Sequence, residues 1–331
     1  MASVVFDLVD RKILHALCIA PRAPWGRIGA AIGVSDQTVA RRYRVLTERA
    51  GVRVTGLIDP ARAGWGRWLL RLWCTPDAAE LVAEALARRS DTSWVRVASG
   101  GTEVHCSIQT ASDADPNSLL LDRLAGSRRV VSLAAYSLLH TFAGAGPGWP
   151  AVVNALDADE QARLADGSGP PVSADAVELG GSPLELSPAD QAMLSVLGRN
   201  GRAGYAELGA AAGWHESTAR RRIEALTSAG LLYFDVDVDE RAFGVRYHAV
   251  VWLAVVPSRL AAVGEAIAAD GNVPFVAATS GPTNLLASVL CADSEALYRF
   301  LSERIGPLEG LVRVETAPIM RVLKRTGLVT A

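Results

Sequence analysis

The 331-residue chain is poor in the residues that carry most cofactor and acid-base chemistry: it has four cysteines, three methionines and five histidines. Cys18, Cys74, Cys106 and Cys291 fall into no CxxC or other metal-ligand spacing, so the thiols read as reduced and buried. His15, His105, His140, His215 and His248 form no HExxH, no repeated pair and no visible Ser-His-Asp set. A Walker or Rossmann glycine pattern is missing as well, and no cofactor and no metal is expected. Long apolar runs are also lacking. The longest, AVVWLAVV at 249–256, is far short of the ~20 residues of a membrane-spanning helix. The opening MASVVFDLVD has neither the cationic nor the long apolar stretch of a secretory signal, so a cytoplasmic setting with no membrane partner is expected. Charge of one sign is absent too: 33 basic against 35 acidic residues give −2, and any attraction to nucleic acid must be local. What the chain does have is hydrophobic residues, half of the total, and a length that suggests two to four compact units.

It also has a repeat. Shifting the sequence by 180 pairs Asp10, Leu14, Leu17 and Arg22 with Asp190, Leu194, Leu197 and Arg202. In the same register Gly29, Gly33, Thr38, Arg41, Arg42 and Leu46 meet Gly209, Gly213, Thr218, Arg221, Arg222 and Leu226. The halves then drift by one residue, so that SGGTE at 99–103 pairs with SGPTN at 280–284, a change that loops tolerate. A self-similar pattern of this length decides the architecture before any single motif does.

Each copy opens with a helix bearing Ile13, Leu14 and Leu17, or Met193, Leu194 and Leu197, on one face. A short second helix follows near 24–31 and 205–211, then Gly33 or Gly213 for a tight turn. In the third helix Val39, Tyr43 and Leu46, repeated as Ala219, Ile223 and Leu226, are expected to face the core. Downstream, 67–75, a helix over 77–89, 93–99, 103–110, a helix over 113–125 and 130–139 alternate as β-α-β-β-α-β, and the second copy repeats the order. The expected fold is therefore α+β: two helix-turn-helix domains, winged-helix-like, alternating with two ferredoxin-like βαββαβ domains. The expected boundaries are 1–60, 61–142, a linker over 143–185 with a spacer helix near 151–165, 186–240 and 241–331.

A helix that enters the major groove needs small polar residues in its first turn to reach base edges and cations beside them for phosphates. In the first copy Ser35 suits the N-cap, and Asp36, Gln37 and Thr38 fill the first turn. Asp36 can accept from cytosine, Gln37 can pair with adenine, and Arg41 suits phosphate or guanine, with Arg44 beside it. Arg42 either joins them or ties the third helix to the first through Asp10, as Arg222 would through Asp190. The candidates in the second copy are Glu216, Ser217, Thr218, Arg220 and Arg221. Charge separates the two. Over 10–55 nine basic residues stand against three acidic ones, net +6, whereas 190–235 holds five of each. Since backbone affinity comes largely from released counterions, the first head is expected to bind double-stranded DNA more strongly.

These residues resemble the Lrp/AsnC family of leucine-responsive and asparagine-operon regulators. The pattern stands as Asp10, Ile13, Leu14, Leu17, Arg22, Gly33, Ser35, Arg42 and Leu46, and again as Asp190, Met193, Leu194, Leu197, Arg202, Gly213, Arg222 and Leu226. The resemblance implies a DNA-binding transcriptional regulator that is not an enzyme. It further implies assembly through the ferredoxin-like domains into homodimers or larger oligomers, and a small-molecule effector such as an amino acid. The family's effector loop maps onto Gly100, Gly101, Thr102 and Glu103, and onto Gly281, Pro282, Thr283 and Asn284. Both lack the family's aromatic residue, and the second lacks the carboxylate that would hold an ammonium group. Two alternatives stay open: an enzyme like the siroheme decarboxylases, which share a similar two-part fold, and a ligand-binding interaction protein that has lost DNA binding.

Overall fold

The computed structural model describes residues 6–110, 129–144, 154–165 and 186–326; the helix expected over 113–125 lies outside them. The chain divides into two discontinuous units rather than four segments in series. One is built from Met1–Asp59 and Ala145–Val245, the other from Pro60–Gly144 and Arg246–Ala331. Each unit therefore joins equivalent pieces of the two copies.

The first unit holds both helix-turn-helix heads. Helices α1 (Leu8–Ile19), α2 (Trp25–Ile32) and α3 (Asp36–Ala50) form one, and α6 (Pro188–Arg199), α7 (Tyr205–Ala212) and α8 (Glu216–Ser228) form the other. Capping boxes start both first helices, Asp7 with Asp10 and Ser187 with Asp190, and satisfy amide donors that a helix leaves open at its N-terminus. Gly33 and Gly213 stop the second helices at φ of 75° and 69°, left-handed values that glycine adopts without steric cost. Ile13, Leu14, Leu17, Ile28, Val39 and Leu46 make one core, and Met193, Leu197, Leu208, Ala219, Ile223 and Leu226 make the other. Tyr43 departs from the expected core position. It is half-buried, with its ring 4.9 Å from that of Trp25, because the indole at the start of α2 covers the phenol at the head's surface.

After the heads, β1 (Arg53–Ile58) and β6 (Leu232–Asp237) pair antiparallel from Arg53↔Asp237 to Ile58↔Leu232. Strand β1 packs on α6 of the other head, and β6 packs on α1. The approach is close enough to require glycine. A Cβ on Gly56 would lie 2.9 Å from Leu197, and one on Gly201 would lie 2.9 Å from Val54, whose carbonyl accepts from the Gly201 amide at 2.7 Å. The spacer helix, α5 (Ala158–Ala165), packs on α1 and α2 of the first head. There Leu164 is fully buried, Lys12 pairs with Glu160 and Arg27 donates to the Leu164 carbonyl.

The second unit contains two sheets with ferredoxin-like strand order. Strands β2 (Gly66–Cys74), β3 (Thr92–Ala98), β4 (Glu103–Thr110) and β5 (Val130–Ala143) run β3-β4-β2-β5. Strands β7 (Tyr247–Val255), β8 (Phe275–Thr279), β9 (Leu285–Cys291) and β10 (Leu311–Lys324) run β8-β9-β7-β10. The edges join reciprocally, β5 to β8 and β10 to β3, and close an eight-stranded barrel within one chain. Alternation along the strands sends one set of side chains under α4 (Ala79–Ala87) or under α9 (Leu260–Ala268) and α10 (Ser294–Arg299). Leu69, Ala98, Tyr136, Val250, Trp252, Leu286 and Ala317 form a third cluster where the two sheets meet.

Candidate nucleic-acid interface

At the start of α3 the Ser35 hydroxyl accepts from the Thr38 amide at 3.2 Å and lies 2.9 Å from the Thr38 hydroxyl, while Asp36 accepts from the Gln37 amide at 2.7 Å. Ser35, Asp36 and Gln37 are exposed, and Thr38 is half-buried. One and two turns on, Arg41 and Arg44 are exposed and make no ion pair among the described residues. Buried Val39 and Leu46 hold the opposite face of the helix, so the polar turn and both arginines share the open side.

Arg42 is placed differently. Its guanidinium is 2.6 Å from Asp7 and 2.8 Å from Asp10, which ties α3 to the capped end of α1, and the hydrogen bonds it donates to these carboxylates push its pKa up. Arg222 repeats the tie with Asp190 at 2.7 and 2.8 Å. Burial acts to raise the Asp190 carboxyl, but hydrogen bonds from Arg222 and Ser187 outweigh it and hold the group below its ordinary range. Arg42 is therefore corrected from a base- or phosphate-reading position to an internal strut.

In the second head His215 caps α8 by accepting from the Ser217 amide at 3.4 Å. Glu216 and Ser217 are exposed and Thr218 is half-buried. Arg220 is held by Glu224 at 3.0 Å, which leaves Arg221 as the exposed arginine without an ion pair in this first stretch of α8 among the described residues. Fold and pairing thus widen the charge difference at the two helix faces.

Arg22 and Arg202 are repeat matches to which the sequence alone assigns no role. Each reaches across to the other head. Arg22 donates to the carbonyls of Gly201 and Ala203, and Arg202 to those of Pro21 and Ala23. Burial lowers the Arg202 guanidinium to about 10, so it stays charged at neutral pH. The signal was present in the sequence as an arginine at the same turn in both copies.

The expected effector loops are turns with committed side chains. Gly100, Gly101 and Gly281 take φ of 70°, 89° and 100°, and a Cβ on Gly281 would lie 2.5 Å from the Tyr136 ring. Thr102 is exposed and donates to the Ser99 carbonyl, whereas the buried Thr283 hydroxyl has no hydrogen-bond partner among the described residues. Asn284 bonds the Val255 backbone in both directions at 2.8 Å. Glu103 is buried: Arg71 donates to it at 3.0 and 3.4 Å, and His105 Nε2 lies 3.0 Å away. Burial acts to raise this carboxyl, but those bonds and the Arg71 charge outweigh it and hold it at about 2. Glu103 is thus not a free carboxylate waiting for an ammonium group.

The Glu103 cluster breaks the repeat symmetry. Arg71 lies over the rings of Trp73 and Trp252 at 4.7 and 5.0 Å and also meets Glu315 at 2.9 Å. In the second copy the register equivalents of Arg71, Glu103 and His105 are Trp252, Asn284 and Leu286. Burial lowers His105 against the opposing charge of Glu103, and its Nδ1, like the indole nitrogen of Trp252, has no hydrogen-bond partner among the described residues.

Comparison with known proteins bears on both units. The model of the AsnC-type helix-turn-helix domain matches residues 6–47 and 186–227, and that of the Lrp/AsnC ligand binding domain matches 248–329. The HTH-type transcriptional regulator Ptr1 of Methanocaldococcus jannaschii is 25% identical over 42% of this chain and 95% of its own length. LrpA of Pyrococcus horikoshii, named an HTH-type transcriptional regulator, is 24% identical over 41% of this chain and 96% of its own. Among solved structures, the siroheme decarboxylase NirDL has the same fold with a TM-score of 0.64, at 13% identity, over 96% of this chain and 92% of that one.

Proposed function

Because the chain belongs to the Lrp/AsnC family, with the family's helix-turn-helix carried twice in tandem, we propose that it is a DNA-binding transcriptional regulator whose first head does the reading. The observation that carries this is the open face of α3, where the exposed Asp36 and Gln37 stand beside Arg41 and Arg44, exposed and without an ion pair among the described residues. Polar groups of this kind at the N-terminal turn of a recognition helix reach base edges, and the arginines fix the backbone. The second head, with Arg220 neutralised by Glu224, contributes less attraction.

Gel-shift titration against genomic fragments, with the gene's own upstream region included, tests the reading. Arg41→Ala is expected to weaken binding about tenfold and to lower the salt slope by about one. Arg221→Ala is expected to cost clearly less. Equal losses would defeat the assignment of the first head as reader. A small-molecule effector is part of the same proposal, held by groups other than the ion-paired Glu103. A panel of amino acids that leaves the melting temperature unmoved would remove that part.

A second reading, as an enzyme, is favoured by one arrangement: Arg71 and His105 of the first copy gathered in a buried cluster with Trp252 of the second, whose indole nitrogen has no hydrogen-bond partner among the described residues. The fold is that of NirDL, which has also been solved with an iron-uroporphyrin III analogue. Titration with an iron porphyrinoid of that type, followed by absorbance, separates the two. Saturable binding at one equivalent per chain supports the enzyme, and an unperturbed spectrum eliminates it.

A further inference from the structure

The turn that leads into α2 of the first head is gripped from the second head. Arg202 donates through its two terminal nitrogens to the carbonyls of Pro21 at 2.5 Å and Ala23 at 2.7 Å, and its guanidinium carbon lies 3.7 Å from the centre of the Trp25 ring. Trp25 begins α2, and its ring in turn meets Tyr43 of α3 at 4.9 Å. A continuous stack thus runs from Arg202, through Trp25, to the helix that carries Asp36, Gln37, Arg41 and Arg44. Such a fork needs arginine: a lysine supplies one point charge and cannot bridge two carbonyls while lying flat on an indole.

The opposite arm does not reach as far. Arg22 lies 4.9 Å from the Tyr205 ring and 5.6 Å from that of Phe234. The residue equivalent to Tyr43 is Ile223, so the contact of Tyr205 on α8 is Arg220, 6.0 Å away and two-thirds exposed. Both copies keep the arginine at the turn, but among the described residues the first helix face has two arginines without an ion pair, Arg41 and Arg44, where the second has one, Arg221, and the arm pointing at the first head is the one that ends on an aromatic residue of the helix it reaches.

We infer that Arg202 is a positioning residue for the first recognition helix, so that the second head acts in DNA binding through its grip on the first more than through its own α8. The inference rests on the first head being a DNA reader. A side chain that seats a recognition helix affects base readout, which depends on ångström-scale geometry, more than phosphate attraction, which does not.

The experiment uses the full chain. Its affinity is measured for the tightest genomic fragment and for an unrelated duplex of equal length, each normalised to the active fraction, for wild type, Arg202→Ala, Arg202→Lys, Arg22→Ala and the double variant Arg220→Ala/Arg221→Ala. Arg202→Ala is expected to cut the ratio of specific to non-specific affinity about tenfold while the non-specific affinity holds. Arg202→Lys is expected to recover only part of that loss, and Arg22→Ala and the double variant to lose less than Arg202→Ala. If Arg202→Ala lowers both affinities in parallel, or the double variant loses more of the ratio than it does, the positioning role is overturned while the DNA reading stands. If wild type prefers no fragment, the DNA reading falls and takes the inference with it.

Discussion

Arg42 and Glu103 each have a role that their neighbours determine. For Arg42 the sequence left two readings open, and the pairing with Asp7 and Asp10 settles its place in the head. The clue was that Asp10 and Arg42 recur together as Asp190 and Arg222 while the polar turn between them changes. Glu103 looked like a loop carboxylate because the family motif ends there. Yet Val104, Cys106 and Ile108 alternate behind it as core residues, and that period of two already places Glu103 with His105 on one strand face. Its partner Arg71, and the Glu315 that Arg71 also meets, come from strands distant in the sequence and were not legible. With its folded pKa at about 2 against an ordinary 4.5, Glu103 contributes stability that is present above pH 4.5 and is lost as the pH falls toward 2. Glu103→Gln should cost roughly 3 kcal/mol, the low end for a broken buried pair because Arg71 keeps Glu315. Urea unfolding at neutral pH measures the loss, and the gap between variant and wild type should narrow on acidification.

At the level of elements, the heads and strands were legible from periodicity and turn glycines, and the ends of α2 and α7 fall within a residue or so of expectation. The docking of α5 was not legible. Glu160 and Leu164 lie four apart on one face, which marks a buried stripe, but nothing local says that Lys12, His15 and Arg27 receive it. His15 Nδ1 accepts from the amides of Ala155 and Leu156 at 3.3 and 3.1 Å. Burial lowers its pKa, against the raising charge of Glu160. The sign follows: this contribution is complete above the ordinary imidazole value of 6.5 and is lost as the pH falls below it. The amides of Ala155 and Leu156 should therefore exchange with solvent faster at pH 5 than the intrinsic rate change predicts, while those of α1 do not. Gly201→Ala tests the contact between β1 and the other head. With Val54 only 2.9 Å from the added methyl, a loss of about 1–3 kcal/mol is expected in thermal unfolding.

At the scale of the whole molecule, the repeat was plain in the sequence, but contiguous segments suggested four domains where the chain makes two units. The difference is physical. A segment of 60 or 80 residues leaves strand edges open, and each edge here is closed by a strand of the other copy, β1 by β6, β5 by β8 and β3 by β10. The repeat by itself is compatible with pairing within a chain or between chains. Because it lies within one chain, bringing the two heads together is a unimolecular event. The unfolding midpoint of the unit that holds both heads should then stay constant over about a hundredfold range of protein concentration, and a midpoint that climbs with concentration would show pairing between chains.

Closure of the barrel also sets a timetable for synthesis. Strand β5 is complete by Ala143, but its partner β8 begins at Phe275, so at ribosomal rates β5 waits on the order of ten seconds with one side unpaired. Nascent chains stalled before β8 should therefore be prone to aggregate or to recruit chaperones, and swapping the order of the copies would not relieve the delay.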